Sequence, residues 1–340
     1  MLQPAPHAVT TDGDPVFGTY AGRCGETRLH LGERGVSRMR RFISEKRWQW
    51  FAAFDTDIAV GGAIVDAGFF GMAFLWVFDR DAGELVVDDD VLVPPGLLQI
   101  TTHPTIGTLA AISLPGYRLR MGRTHETLTI EGAFAGARLS LDLVVDDQTA
   151  ITAVCPVPER TGGINVTQKE TDAPVSGRIT VDTPERQTQV DSSAGGETEE
   201  KPHKEYTLDG VGFLDYSHGL LGRETRWDWA FGSCRASDGT PVAFNLVDQF
   251  NEGLENVVWV DGEPEAVGGA SVEMDGPEWS VTTDCGTVDA SLSVEGSRSK
   301  EVDVGLVESR YHQPLGRWSG TIAGYDVEGV GVAEAHLTRW

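Results

Sequence analysis

The densest run of chemically able side chains is Gly210-Val211-Gly212-Phe213-Leu214-Asp215-Tyr216-Ser217-His218-Gly219, followed by Arg223-Glu224-Thr225-Arg226-Trp227-Asp228-Trp229. A carboxylate, a phenol, a hydroxyl and an imidazole occupy four adjacent positions, with two indoles close behind. Drawn as a strand, Asp215 and Ser217 share one face, and Tyr216 and His218 share the other. A His218–Tyr216 pair aimed into a cavity would move protons on a bound ligand. Imidazole titrates near neutrality, and a phenol donates a hydrogen bond. Asp215 would orient or partner them. The competing reading is structural, because Asp, Ser and His at a strand end also make turn hydrogen bonds.

Other residues extend the candidate site. Trp227, Trp229 and Phe231 fall on one face of a strand, and Trp48 and Trp50 do the same near the N-terminus. Such stripes are either core or the wall of an apolar cavity, with indole N–H groups as donors. Asn245 sits in the apolar strand Pro241-Val242-Ala243-Phe244-Asn245-Leu246-Val247, and Glu255-Asn256 abuts Val257-Val258-Trp259. Asp66 lies in Gly62-Ala63-Ile64-Val65-Asp66-Ala67-Gly68, where desolvation would raise a lone carboxyl unless an arginine pairs with it. The expected ligand-binding set is therefore Trp227, Trp229, Asn245, Glu255 and Asp66. No nucleophile elbow, phosphate loop or dinucleotide fingerprint is present, and no cofactor is expected. The four cysteines (Cys24, Cys155, Cys234, Cys285) have neither metal-ligand nor disulfide-framework spacing, so no metal is expected.

Composition narrows the partners. The chain of 340 residues carries 52 acidic and 27 basic residues, a formal net charge of −25, and five lysines (Lys46, Lys169, Lys201, Lys204, Lys300). Self-repulsion of that size is best tolerated where concentrated salt screens it, and the bias resembles that of salt-adapted archaeal proteins. It argues against nucleic-acid binding, which needs a basic face. One basic island runs from Arg28 to Arg47 (Arg28, Arg34, Arg38, Arg40, Arg41, Lys46, Arg47), to be paired with acidic strands or to receive an anionic head group. The first residues lack the apolar region of a signal peptide, and no apolar run has spanning length, so a cytoplasmic protein without an integral membrane segment is expected. The Asn165-Val166-Thr167 sequon is then not expected to meet a glycosylation machinery. Nothing bears on oligomeric state.

Period-two alternation is the recurrent pattern. Leu139, Leu141, Leu143 and Val145 alternate with polar residues, as do Tyr117, Leu119 and Met121, then Val288, Ala290, Leu292 and Val294, then Val302, Val304 and Leu306. Dipeptides such as Asp238-Gly239 and Asp261-Gly262 supply hairpin turns. The fold expected is all-β: two antiparallel β-barrel or barrel-like domains packed together. Residues 1–18 read as a flexible tail, 19–182 as the first domain, 183–204 as an acidic linker or loop, and 205–340 as the second domain. Short helices are drawn only at Val36 to Trp48 and Pro94 to Gln99.

Several of these blocks occur together in one known family. Trp48-Gln49-Trp50-Phe51, Gly62-Ala63-Ile64-Val65-Asp66-Ala67-Gly68-Phe69-Phe70-Gly71, Asp215-Tyr216-Ser217-His218-Gly219 and Glu224-Thr225-Arg226-Trp227-Asp228-Trp229-Ala230 resemble the family called domain of unknown function 2804. So do Asn245-Leu246-Val247, Glu255-Asn256, Trp259 and Tyr311-His312-Gln313-Pro314-Leu315-Gly316. More remotely, Asp215 to Gly219 with Trp227-x-Trp229 is similar to the Asp-His-x-Trp-Gly and Trp-x-Trp elements of the AttH-like and carotenoid-hydratase proteins. Here two residues separate Asp215 from His218, and no tryptophan follows. That likeness implies tandem lipocalin-like barrels with a cavity near their junction, and relatives that hydrate or cyclise polyenes and terpenoids. The expectation is a protein that binds a largely apolar small molecule, a lipid or isoprenoid, as a cofactor-independent hydratase, isomerase or cyclase. The alternatives are a non-catalytic carrier and a carbohydrate-active β-protein, the last needing two carboxyl groups roughly 5–10 Å apart across an open groove.

Overall fold

The computed structural model describes residues 1–30, 38–134, 136–157, 163–182, 202–275, 278–303, 305 and 307–340. Two large, almost wholly antiparallel sheets make up most of it. The first runs in the order Glu84–Val93, Gly71–Asp79, Ile58–Asp66, Glu45–Phe54, His203–Leu220, Gly163–Asp182, Ala137–Val144, Thr127–Phe134, Tyr117–Arg123, Gly107–Leu114 and Leu98–Ile100. It curls until Leu98–Ile100 touches Glu45–Phe54 and Ile58–Asp66, nearly closing a barrel and protecting the sheet edges. Arg47 Nη1 donates across that seam to the Ile100 carbonyl at 3.2 Å. The barrel interior is solid, filled by residues such as Leu119, Met121, Ile130, Leu141 and Leu214.

The alternation in the sequence explains this packing. Along Ala137–Val144 buried and exposed residues strictly alternate, with Leu141 and Leu143 fully inside. Each such side chain contributes roughly 1.5–3 kcal/mol of apolar burial. The second sheet, a half-barrel, runs Glu263–Ala266, Val257–Val260, Pro241–Asp248, Glu224–Ala236, Tyr325–Arg339, Glu308–Ile322, Val288–Asp303, Glu278–Thr283 and Ala270–Asp275. Phe244, Leu246, Val281, Leu292 and Trp318 fill its concave side. Val288, Ala290 and Leu292 point inward as expected, but Val294 is 37% exposed, because a bulge between Val294 and Gly296 shifts the register. Val304 and Leu306 lie outside the described residues. Asp261-Gly262 closes the expected two-residue hairpin, both residues having positive φ (52° and 80°).

The two sheets pack back to back through a third apolar cluster containing Trp50, Phe54, Phe74, Trp76, Phe213, Trp229, Phe231 and Leu315. Strands at this junction are buried on both faces, which is why Gly71–Asp79 reads as a continuous apolar run. Gly61 is required by the same crowding. A Cβ there would lie 2.4 Å from the Trp76 ring, so this glycine serves close packing inside a strand.

Four expectations about organisation change. His203–Leu220 is hydrogen-bonded on both edges within the first sheet, so the chain crosses to the second sheet at Gly222 and Arg223 rather than near residue 200. Residues 183–201 of the acidic stretch lie outside the described residues. The N-terminal residues are docked: Gln3–Pro4 pairs parallel with Gly18–Ala21, and Val9 is fully buried beside Cys24 and Leu29. Of the helix drawn at Val36 to Trp48, the described residues are helical over Arg38–Ser44, and strand Glu45–Phe54 takes over because its aromatic residues pack at the junction. Pro94 to Gln99 is a turn leading into Leu98–Ile100, with Gly96 at φ +84°, a backbone that no helix accommodates. Among the described residues no helix is long and apolar enough to cross a membrane.

Candidate functional site

Between the backs of the two sheets lies a cavity of about 420 Å³, within the ordinary range for small-molecule sites. Its walls are the aromatic stripes read from the sequence. Trp48 of the first sheet stacks on Trp227 of the second, with centroids 6.0 Å apart and planes 12° from parallel. Trp50 meets Trp229 edge-on at 5.1 Å. Ala63, Val65, Phe69, Met72 and Phe74 continue the apolar lining. The site is thus at the sheet junction and not in a barrel mouth, because both interiors are packed with their own side chains.

The first-sheet wall carries a buried ion network. Asp215 lies directly across from Lys169 in the ladder, and Lys169 Nζ stands 2.8 Å from Asp215 Oδ1 and 3.2 Å from Glu255 Oε2. Trp48 Nε1 donates to Asp215 Oδ2 at 3.0 Å, and Thr167 Oγ1 donates to Oδ1 at 3.2 Å. The ammonium also sits 5.0 Å from the Trp229 ring centre. Asn251 donates to the other oxygen of Glu255, and Asn165 Nδ2 donates to Asn251 Oδ1 at 3.2 Å. Burial works to lower the Lys169 pKa, but the flanking carboxylates of Asp215 and Glu255 more than offset it and the ammonium is held above its usual value. A buried pair of this kind is satisfied only while every member is present.

The second-sheet wall is different, and its central residue was not singled out in the sequence. Glu334, His336, Thr338 and Trp340 line the cavity from alternate positions of Tyr325–Arg339 and its end. Glu334 is opposite Trp229 in the ladder, and His336 is opposite Trp227. Glu334 accepts from Trp227 Nε1 at 2.8 Å and from Gln313 Nε2 at 2.9 Å. Neither donor is charged, and burial pushes the carboxyl up to about 7, with the charge of Asp215 adding to the rise. His336 pairs with Ser309 Oγ at 3.0 Å, and burial pushes it down to about 3, so it is neutral and leaves Glu334 its proton. The Tyr311 hydroxyl is likewise pushed well up, first by burial and then by the Glu334 charge. A carboxyl that changes protonation near neutrality in an aromatic-lined cavity is suited to donate a proton. The available signal was Glu334 and His336 at positions i and i+2 of Val330-Gly331-Val332-Ala333-Glu334-Ala335-His336, polar residues on one face of an otherwise apolar strand.

The structure divides the residues expected to form the site. Asp215, Trp227, Trp229 and Glu255 line the cavity, as does Ser217. Tyr216 and His218 are on the opposite face of the same strand and point away from it. Tyr216 joins the barrel core, its hydroxyl 2.6 Å from Thr27 Oγ1 and donating to the Thr101 carbonyl at 3.2 Å, and burial raises its pKa. His218 is bound at Nδ1 to the Thr27 carbonyl (2.9 Å) and at Nε2 to Glu45 (2.8 Å), and burial lowers its pKa. The strand reading was right about which residues share a face and assigned the cavity to the wrong one. Asn245 stands behind the wall, accepting from Trp229 Nε1 and donating to the Glu255 carbonyl, each at 2.8 Å. Asp66 pairs with Arg47 at 2.7 Å and accepts from the Gly68 N–H, away from the cavity. Other described members of the basic island also find local partners: Arg28 has Glu26, Arg41 has Glu45, and Lys46 donates to two backbone carbonyls. Among the described residues no cluster of three or more His, Cys, Asp or Glu could hold a metal ion.

With this geometry in view, comparisons place the chain among known proteins. The family model described as domain of unknown function (DUF2804) matches residues 7–340. Among curated proteins none matches. Of solved structures, kievitone hydratase from Nectria haematococca is similar at 10% identity with a TM-score of 0.52, covering 94% of this chain and 97% of that one. CghA with Sch210972 is similar at 11% identity and a TM-score of 0.52, covering 87% and 88%. An AttH candidate from Nitrosomonas europaea, at 13% identity, covers 86% and 92% with a TM-score of 0.46. At such identities the likeness to the first two establishes a shared fold, two barrel-like sheets in tandem.

Proposed function

The chain belongs to the family described as domain of unknown function 2804, and we propose that it is a cofactor-independent enzyme transferring protons to or from a largely apolar small molecule. The class is that of a hydratase, isomerase or cyclase, and the ligand class is lipid or isoprenoid. The observation that carries this reading is Glu334: a buried carboxyl lining an aromatic cavity, hydrogen-bonded by neutral donors only. Glu334 is the acid. It protonates a carbon–carbon double bond, and the facing indoles of Trp48, Trp50, Trp227 and Trp229 stabilise the positive charge that develops. The cation ends by losing a proton or by adding water that loses one, directly or after attack of a second double bond has moved the charge to a new carbon. In each case the proton goes to a carboxylate of the site, either the Glu334 left ionised by the first step or Asp215 or Glu255, which also line the cavity. Fold neighbours include a protein named as a hydratase, which agrees with this class. An aromatic lining with few free polar groups favours an apolar ligand over a sugar, whose hydroxyls would go unpaired.

The test is deuterium transfer. The protein is incubated in D2O with a panel of isoprenoid and polyunsaturated probes, in the concentrated salt that a net charge of −25 calls for. The expected result is deuterium bound to carbon in at least one probe, lost in Glu334→Gln while the probe still binds. Binding without exchange in the wild type would leave a carrier in place of an enzyme. Exchange that survives in Glu334→Gln would remove Glu334 from the chemistry.

A further inference from the structure

At the rim of the cavity a buried guanidinium has donors left over. Arg298, on strand Val288–Asp303, is 4% exposed, and its guanidinium is plated by Phe74 (4.3 Å to the ring centre) and Tyr311 (5.5 Å). Its Nε donates to Asp88 Oδ1 at 2.7 Å. The nearest other carboxylate oxygen, on Asp90, is 3.9 Å from Nη2 and beyond hydrogen-bond range. Among the described residues neither terminal nitrogen donates a hydrogen bond, and neither is fully shielded, so both stay open to a ligand. The Tyr311 hydroxyl is shielded from solvent and makes no hydrogen bond of ordinary geometry, with the Glu334 carboxyl near it. Both side chains line the cavity.

We propose that the terminal edge of Arg298, with the Tyr311 hydroxyl, is a carboxylate subsite, so that the cavity's ligand is an apolar carboxylic acid bound as its anion. A planar fork held flat between two rings matches a planar carboxylate bidentately. Asp88 and Asp90 already balance the charges of Arg298 and Lys300, so this rim offers a fork of donors rather than surplus positive charge, and among the described residues there it has no free cation for a phosphate's extra charge. The subsite also serves the chemistry, because an anion bound beside Tyr311 repels the ionised form of Glu334 and keeps that acid protonated. This inference rests on the cavity being the ligand site.

The experiment compares acids with alcohols of the same apolar body: retinoic acid against retinol, and oleic acid against oleyl alcohol. Binding is read at pH 8 by quenching of the cavity tryptophans. The wild type is expected to prefer each bound acid roughly tenfold or more, the worth of one charge-assisted hydrogen bond. Arg298→Met abolishes the preference and leaves the alcohol's affinity in place. Tyr311→Phe weakens the preference. Should Arg298→Met fail to fold, Arg298→Lys keeps the charge and loses the fork, and the preference must still fall. Equal binding of acid and alcohol to the wild type, or a preference that persists in these variants, overturns the carboxylate subsite alone. If neither member of either pair binds, the apolar-cavity reading falls and the subsite with it.

Discussion

On the first-sheet wall Asp215 meets the Lys169 ammonium, an indole N–H and a hydroxyl, whereas on the second-sheet wall Glu334 meets an indole N–H and an amide but no cation. Both are carboxyl groups of the same cavity, flanked by tryptophans of the same stripes. The nearest positive charge separates them. Burial disfavours an ionised carboxyl, and a cation at hydrogen-bond distance reverses that, while neutral donors offset only part of it. One cavity thereby holds an ion-paired carboxylate facing a carboxyl that retains its proton to about pH 7.

The largest expected effect comes from removing the cation that makes the difference. Lys169→Met leaves Asp215 and Glu255 buried without their ammonium and should cost about 3–5 kcal/mol in chemical denaturation, the usual consequence of breaking a buried pair. Adding Asp215→Asn and Glu255→Gln should recover much of it. A loss below about 1 kcal/mol would mean that the wall is not held by its ions.

Glu334 should make stability depend on pH. Its carboxyl is raised from 4.5 to about 7 in the folded protein. As pH rises through the lower value the unfolded chain ionises first, so the folded state loses stability until pH passes the upper one. The loss amounts to on the order of 3 kcal/mol, and Glu334→Gln removes it. Denaturation midpoints at pH 4 and pH 8 should therefore converge for the variant relative to the wild type. A constant difference between the two proteins would erase the contrast with Asp215.

The smallest effect on ligand binding is expected at His218. His218→Gln strips Thr27 and Glu45 of a partner and should cost about 1–3 kcal/mol of stability. Affinity for an apolar probe, measured by tryptophan quenching, should stay within about twofold, since distant sites act independently. A tenfold loss would return His218 to the cavity.

Much of this was legible in the residues. Strict alternation along Ala137–Val144 dictates a sheet with one wet face. The paired positions of Trp48 and Trp50, and of Trp227 and Trp229, place indoles together on two strands. Asp215 stood out because a carboxylate, a phenol, a hydroxyl and an imidazole are adjacent there. Lys169 and Glu255 escaped connection, since nothing along the chain says that residues 169, 215 and 255 converge.

The sequence by itself determined the strands, the hairpin at Asp261-Gly262 and which residues share a face, because these follow from local backbone geometry and period-two patterning. It could not determine which face of His203–Leu220 meets the cavity. That strand is buried on both sides, so no polar–apolar contrast marks the difference, and only the packing of the second sheet against the first decided it. Tertiary structure likewise decided that Asp215 would face an ammonium and Glu334 would not. Charge state depends on neighbours within a few ångströms, and those neighbours come from distant parts of the chain.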